Sequence, residues 1–224
     1  MSEPHTRRRV PRGPGRPAAD ARPGARDALL DAAGRLCGLE GAGQVSLRRI
    51  AAEAGVTPAM VHYYFGDKEG LYDAMLERTF GRLIERVRSV LGSGPGEAPH
   101  PDGDRLRELL AVMTQTFAKE PWIPALVIRE VLAEGGRFRE RFIRGYASRM
   151  AELLPALLRR EIDAGRFRAD LDPSLGFLSL MGMTVMPFVA RPVVERVLGL
   201  HYDDEFLARL AAHTHRMFVA GARS

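Results

Sequence analysis

The sequence predicts an all-α fold, and three observations carry that prediction. Apolar residues recur three and four apart along nearly every long segment, the period of a helix with one buried face. No β-hairpin signal and no internal repeat occurs. The stretch from Ser46 to Lys68, SLRRIAAEAGVTPAMVHYYFGDK, reads as two short helices joined by a glycine turn.

A first helix starts near Asp27 and carries Cys37 on its apolar face, where a buried, inert thiol is expected. Ser46 suits the cap of the next helix. Leu47, Ile50, Ala51 and Ala54 then form one inward stripe, with Arg48, Arg49 and Glu53 opposite. Gly55 supplies the backbone freedom to turn. Thr57 caps the second short helix and Pro58 fits its first turn, where the missing amide is unpaired anyway. Val61 and Phe65 face inward. Ala59, Met60 and Tyr63 are expected on the outer face, with His62 beside them. A corner made only for packing has no need of two outward arginines and the aromatic cluster His62, Tyr63, Tyr64. A helix-turn-helix places such a helix in the DNA major groove.

The chain beyond Lys68 continues as helices: one long candidate to about Leu91, then Asp104–Lys119, Ile123–Glu134, Phe138–Ala164, Pro173–Val189 with a continuation toward Leu198, and Asp203–Gly221. Residues 92–104 are rich in Gly and Pro and read as a loop. The nearly apolar run Leu175–Ala190 is sixteen residues, short of the ~20 that cross a bilayer, so a buried helix is expected there.

Charge is unevenly placed. The formal net charge is +5, and residues 1–26 hold seven arginines against Glu3 and Asp20, so the remainder is neutral. This Arg/Pro/Gly-rich arm is expected to be disordered when free. It is either a solubilising tail or an arm that follows phosphates into the minor groove. Arg12-Gly-Pro-Gly-Arg16-Pro resembles an AT-hook, with Pro14 where that motif carries arginine.

At 224 residues the chain is ample for one domain and short for two large ones. One cysteine excludes an internal disulfide framework and suits a cytoplasmic protein, and the N-terminus lacks the apolar region of a secretory signal. His213 and His215, two apart on a helix, point to different faces and do not chelate jointly. No G-x-S-x-G, H-E-x-x-H or Gly-rich phosphate loop occurs. No catalytic residue, metal or cofactor is expected, and an all-α enzyme ranks well behind a DNA-binding protein.

The stretch from about Asp27 to Phe80 resembles the N-terminal domain of the TetR family of bacterial transcriptional regulators. The likeness rests on the three-helix pattern, the turn Gly41–Gly43, and the ending Tyr64-Phe65-Gly-Asp-Lys68-Glu-Gly-Leu71. His62 departs from it, standing where the family usually carries tyrosine. The resemblance implies three units: the arm 1–26, a helix-turn-helix domain 27–72, and a helical effector-binding and dimerisation domain 73–224. It implies that Ser46, Arg48 and Tyr64 grip phosphates, with Arg49 and His62 nearby. Thr57, Ala59, Met60 and Tyr63 would meet the bases, with Pro58 among the DNA-binding residues beside them, and Lys68 would start the helix linking the domains. Two protomers would pair through the last two long helices on a palindromic operator and be released by a small molecule.

On the helices where the family places its cavity stand Met113, Phe117, Trp122, Phe177, Met181 and Met186, for any single one of which plain core packing is the favoured reading. Arg129 and Glu130 either place a charge near that cavity or form a solvated helix face. The alternative function is a ligand-independent architectural protein that uses the arm, through Arg12 and Arg16, in A·T-rich minor grooves.

Overall fold

A computed structural model describes residues 24–92 and 105–223. Arg12 and Arg16 of the expected arm, and the loop residues 93–104, lie outside the described residues. Twelve α-helices and no strand occur among those described.

The first helix, α1 (Ala25–Glu40), already contains Arg26, which the sequence placed in the arm. It turns its apolar face inward, burying Leu29, Leu30, Ala33, Leu36 and Cys37. Helices α2 (Leu47–Glu53), α3 (Pro58–Phe65) and α4 (Lys68–Leu76) complete a three-helix head and its exit. As the sequence predicts, Ser46 Oγ caps α2 by accepting from Arg49 N at 3.1 Å. Gly55 turns the chain at φ +68°, in the left-handed region that glycine favours. Thr57 takes the cap position of α3 without a capping hydrogen bond from its hydroxyl, so Pro58 is the stronger start signal.

The long helix expected over Lys68–Leu91 is present but not regular. Helix α4 passes through a π turn at Glu77–Gly81 before α5 (Arg82–Leu91). Two further π turns replace expected α-helix. One, Ile128–Leu132, follows α7 (Trp122–Val127); the other, Ile143–Ala147, separates α8 (Arg139–Phe142) from α9 (Ser148–Asp163). The wider turn leaves the apolar period nearly unchanged, which is why patterning alone does not reveal it.

Helices α6 (Arg105–Lys119), α10 (Pro173–Val189) and α12 (Asp204–Ala222) form the body of the second domain, with α9 against α10 and α12 against α6. Asp172 caps α10 by accepting from Ser174 N and Leu175 N, and Asp203 caps α12 by accepting from Phe206 N. The continuation toward Leu198 is a separate helix, α11 (Arg191–Leu198), bent 70° from α10. Pro192 has no amide to continue the α10 ladder, and the chain turns there.

Helix α10 is not the fully buried helix its composition suggests. Gly176, Leu180, Thr184 and Phe188, spaced by four, face the core, while Leu175, Leu178 and Met186 stand in solvent. Among the described residues nothing covers that side. No single helix among the described residues is long and apolar enough to cross a membrane.

The two domains meet where α1 crosses α7. Gly34 and Gly38 permit this: a Cβ on Gly34 would stand 2.6 Å from the Trp122 ring, and one on Gly38 2.7 Å from the Trp122 carbonyl oxygen.

Candidate nucleic-acid interface and its junction with the helical domain

The exposed edge of the head is built from the N-terminus of α2 and the outer face of α3. Ser46 and Arg48 are exposed on α2; Thr57, Pro58, Ala59, His62 and Tyr63 are exposed on and before α3. Tyr63 is the most prominent, 71% exposed, and stacks edge-on against the half-buried Tyr64 at 5.0 Å. Two expected contacts change. Met60, expected outside, is only 9% exposed and packs in the core beside Val61. On a helix of eight residues, the first inward position falls one residue later than Ala59, and Met60 fills it. Arg49 is exposed but engaged with carboxylates, at 3.7 Å from Glu40 and 3.5 Å from Glu53. Its charge is largely compensated; Arg48 has no such acid among the described residues.

His62 plays a part the sequence does not announce. Its Nδ1 lies 2.8 Å from the Gly66 carbonyl, one of the last free acceptors of α3, so the Nδ1–H tautomer donates there and closes the helix end. Lys68, expected at the start of the linking helix, is there. Its ammonium donates to the Ala42 carbonyl at 3.3 Å and lies over the Tyr72 ring.

That carbonyl belongs to a junction sequence reasoning missed. Tyr72 Oη donates to Ala42 O at 2.8 Å, while the Ala42 amide donates to Glu130 Oε1 at 2.8 Å. Glu130 is 6% exposed, and reaches the turn between α1 and α2 from the π turn at Ile128–Leu132. It is therefore neither a pocket charge nor a solvated one. Arg129 beside it is exposed and passes close to Gly41.

A second set of contacts runs along α4. Glu69, Asp73 and Glu77 recur every four residues and so share a face. Glu69 accepts from Arg137 and, at 2.7 Å, from Arg141; Arg141 Nε also lies 2.8 Å from Asp73. Tyr146 Oη donates to Glu77 at 3.1 Å. The hydrogen bonds from Arg137 and Arg141 hold the Glu69 carboxyl below the usual glutamate range. Arg78, in the π turn, ties back to Asp27 and Asp31 of α1. The spacing of the three acids was a legible signal; their partners, some seventy residues away, were not.

The seven residues expected around an effector cavity do not converge. Met113 and Phe117 are buried, the latter edge-on to Phe188 at 5.6 Å. Phe177 and Met181 are half-buried against the same core. Trp122 packs on α1 instead, Arg129 sits at the junction, and Met186 is 58% exposed on the far side of α10. A cleft of about 690 Å³ between α6 and α12, which includes Thr114, Gln115, Lys119 and Tyr202, contains none of them. Burial pushes the Cys37 thiol up to about 12. Among the described residues no group of three or more His, Cys, Asp or Glu gathers as a metal site.

Comparison with known proteins fits this geometry. A family model described as bacterial regulatory proteins of the tetR family matches residues 29–75. A second, described as the tetracyclin repressor-like C-terminal domain, matches residues 103–218, more than half of the chain. The chain belongs to the TetR family.

Among TetR-family relatives, the HTH-type transcriptional regulator BetI of Brucella anthropi is 34% identical over 124 residues, 54% of this chain and 61% of that one. BetI of Rhizobium meliloti is 43% identical over 67 residues, 30% of this chain and 33% of that one. The chain thus aligns with less than two thirds of the length of these relatives. The fatty acid degradation regulator FadR from Bacillus halodurans superposes with a TM-score of 0.69 at 21% identity, covering 88% of this chain and 95% of that one. For the ketosteroid transcriptional regulator KstR2 of Mycobacterium tuberculosis the values are 0.68, 18%, 89% and 95%. At these identities the likeness speaks for the TetR-family fold alone.

Proposed function

We propose that the protein is a ligand-responsive transcriptional repressor that binds a palindromic operator as a homodimer and is released by a small molecule. The observation that carries this reading is the solvent edge formed by Ser46, Arg48, Thr57, Ala59, His62 and Tyr63 on a helix-turn-helix head. One short recognition helix reads few bases, so two must act together on half-sites about one helical turn apart.

The uncovered apolar side of α10, Leu175, Leu178 and Met186, together with the exposed Met217 of α12, supports pairing of these helices with a symmetry mate. Ala59 and Tyr63 offer apolar and hydroxyl contacts rather than the bidentate bonds of arginine, so base reading is modest and phosphate contacts carry much of the affinity. The Arg26 guanidinium lies 5.4 Å from the centre of the Phe65 ring, which sets the start of α1 beside the end of α3. Minor-groove contact by Arg12 and Arg16, which lie outside the described residues, belongs to the same proposal. The protein acts where its DNA is, in the cytoplasm. Its effector enters the core around Met113, Phe117, Phe177 and Met181, where flexible thioethers can repack around it.

Selecting duplexes from a random-sequence pool with the purified protein, then footprinting the winners, tests the reading. One short palindromic protected site is expected. Broad protection of A·T-rich DNA would favour the ligand-independent architectural protein instead.

A further inference from the structure

Ala42 is held on both polar atoms by parts of the molecule on opposite sides of the domain junction. Tyr72 and Lys68 of α4 donate to its carbonyl, while Glu130, from the helical domain, accepts from its amide. Ala42 is itself buried and sits between Gly41 and Gly43, four residues before the capping Ser46. Gly41 has φ +93°, so this turn takes a path that only a few residue types hold unaided.

Glu130 is in turn fixed from behind. Its carbonyl accepts from Phe138 N at 2.8 Å, and Phe138 is fully buried, edge-on to Tyr72 at 5.0 Å. The side chain that touches the turn thus stands on a π turn, an irregular element that has more than one way to hydrogen-bond its backbone. A shift of that turn must either carry Ala42 with it or leave a buried carboxylate and a buried amide unpaired, and the second is the costlier course.

We infer that Glu130 is a positioning residue of the DNA-reading head: its carboxylate sets the Gly41–Gly43 turn, and through it the Ser46 end of α2, relative to the helical domain. The contact rests on the DNA-binding reading above and assigns a role to a residue that does not itself face DNA. Because Glu130 pulls on the amide and Tyr72 on the carbonyl of one residue, the head follows α4 and the π turn together.

The test uses the full-length protein and a duplex it selects from a random pool. Glu130→Ala is expected to lower affinity for that duplex at least tenfold. Glu130→Gln keeps an oxygen for the Ala42 amide and should stay within threefold of wild type. Hydrogen exchange supplies the readout that general destabilisation would not give. In Glu130→Ala, amides from Ala42 to Ser46 should lose clearly more protection than those of α6, α10 and α12.

Unchanged affinity in Glu130→Ala would overturn the inference. So would a Glu130→Gln as weak as the alanine variant, or protection lost evenly through the chain. If Glu130→Ala does not fold, Glu130→Asp replaces it. Its carboxylate is drawn back from the turn, and the same local loss of protection is expected, with uniform protection again contradicting the assignment. Should the wild type select no duplex at all, the DNA-binding reading fails first; selection by the wild type with an indifferent Glu130 fails this inference alone.

Discussion

Glu130 Oε1 and the Ala42 amide lie 2.8 Å apart across the domain junction, 88 residues apart in the chain. Removing one partner of a buried hydrogen bond leaves the other without a substitute, at about 1–3 kcal/mol. Glu130→Ala should therefore lower unfolding stability by about that amount, and Glu130→Gln by clearly less. Urea denaturation of both variants checks this; equal losses would show that the charge, not the acceptor, matters.

Tyr63 and Met60 sit three residues apart on α3, yet Tyr63 is 71% exposed and Met60 only 9%. Tyr63→Ala should weaken binding to a selected duplex with little change in melting temperature. Met60→Ala should do the reverse at first order, costing about 2–5 kcal/mol of stability as a truncated core side chain. Parallel melting curves and fluorescence anisotropy separate the two. A destabilised Tyr63→Ala with intact binding would invert the assignment of faces.

Glu69 bridges Arg137 and Arg141, and its pKa is held below the ordinary value of 4.5 by those hydrogen bonds. A carboxylate with a lowered folded pKa stabilises the fold above its unfolded pKa, and that contribution is lost as pH falls through the folded value. All three side chains are about a third to a half exposed, so the effect is small, under about 1 kcal/mol. Glu69→Gln should be slightly less stable than wild type at pH 7, and the gap should narrow as pH falls below the usual glutamate range. A difference that grows on acidification would contradict the sign.

Burial raises the Cys37 thiol to about 12. The thiolate is the reactive form, so iodoacetamide at pH 8 should leave native protein unlabelled and label it readily in urea, where the thiol regains a value near 8.5. The raised pKa also means that this site's stabilisation is present below the unfolded value and fades as pH rises toward 12. Rapid labelling of the native state would place Cys37 at an open surface.

The head was legible because its signals are local. Ser46, Gly55 and Pro58 each act within a few residues of where they stand, and the helical period assigned every long element its type. Met60 was misplaced because on two turns of helix one residue of phase separates outside from inside. The π turns were invisible because five residues of wider winding do not disturb an apolar stripe. The junction at Ala42 was hidden for a different reason: it joins a backbone amide to Glu130, and backbone partners leave no trace in residue identity. The expected effector residues dispersed because Trp122 and Met186 look the same in sequence whether they line a cavity, cross another helix or face a partner.

The central claim, that two α3 helices read two half-sites from one rigid pair, is tested most directly by spacing. Five base pairs inserted between the half-sites of the selected palindrome rotate one of them by about half a helical turn. Affinity measured by anisotropy should fall at least a hundredfold, and recover in part when ten are inserted. Affinity that ignores the insertion would mean that each protomer meets DNA alone.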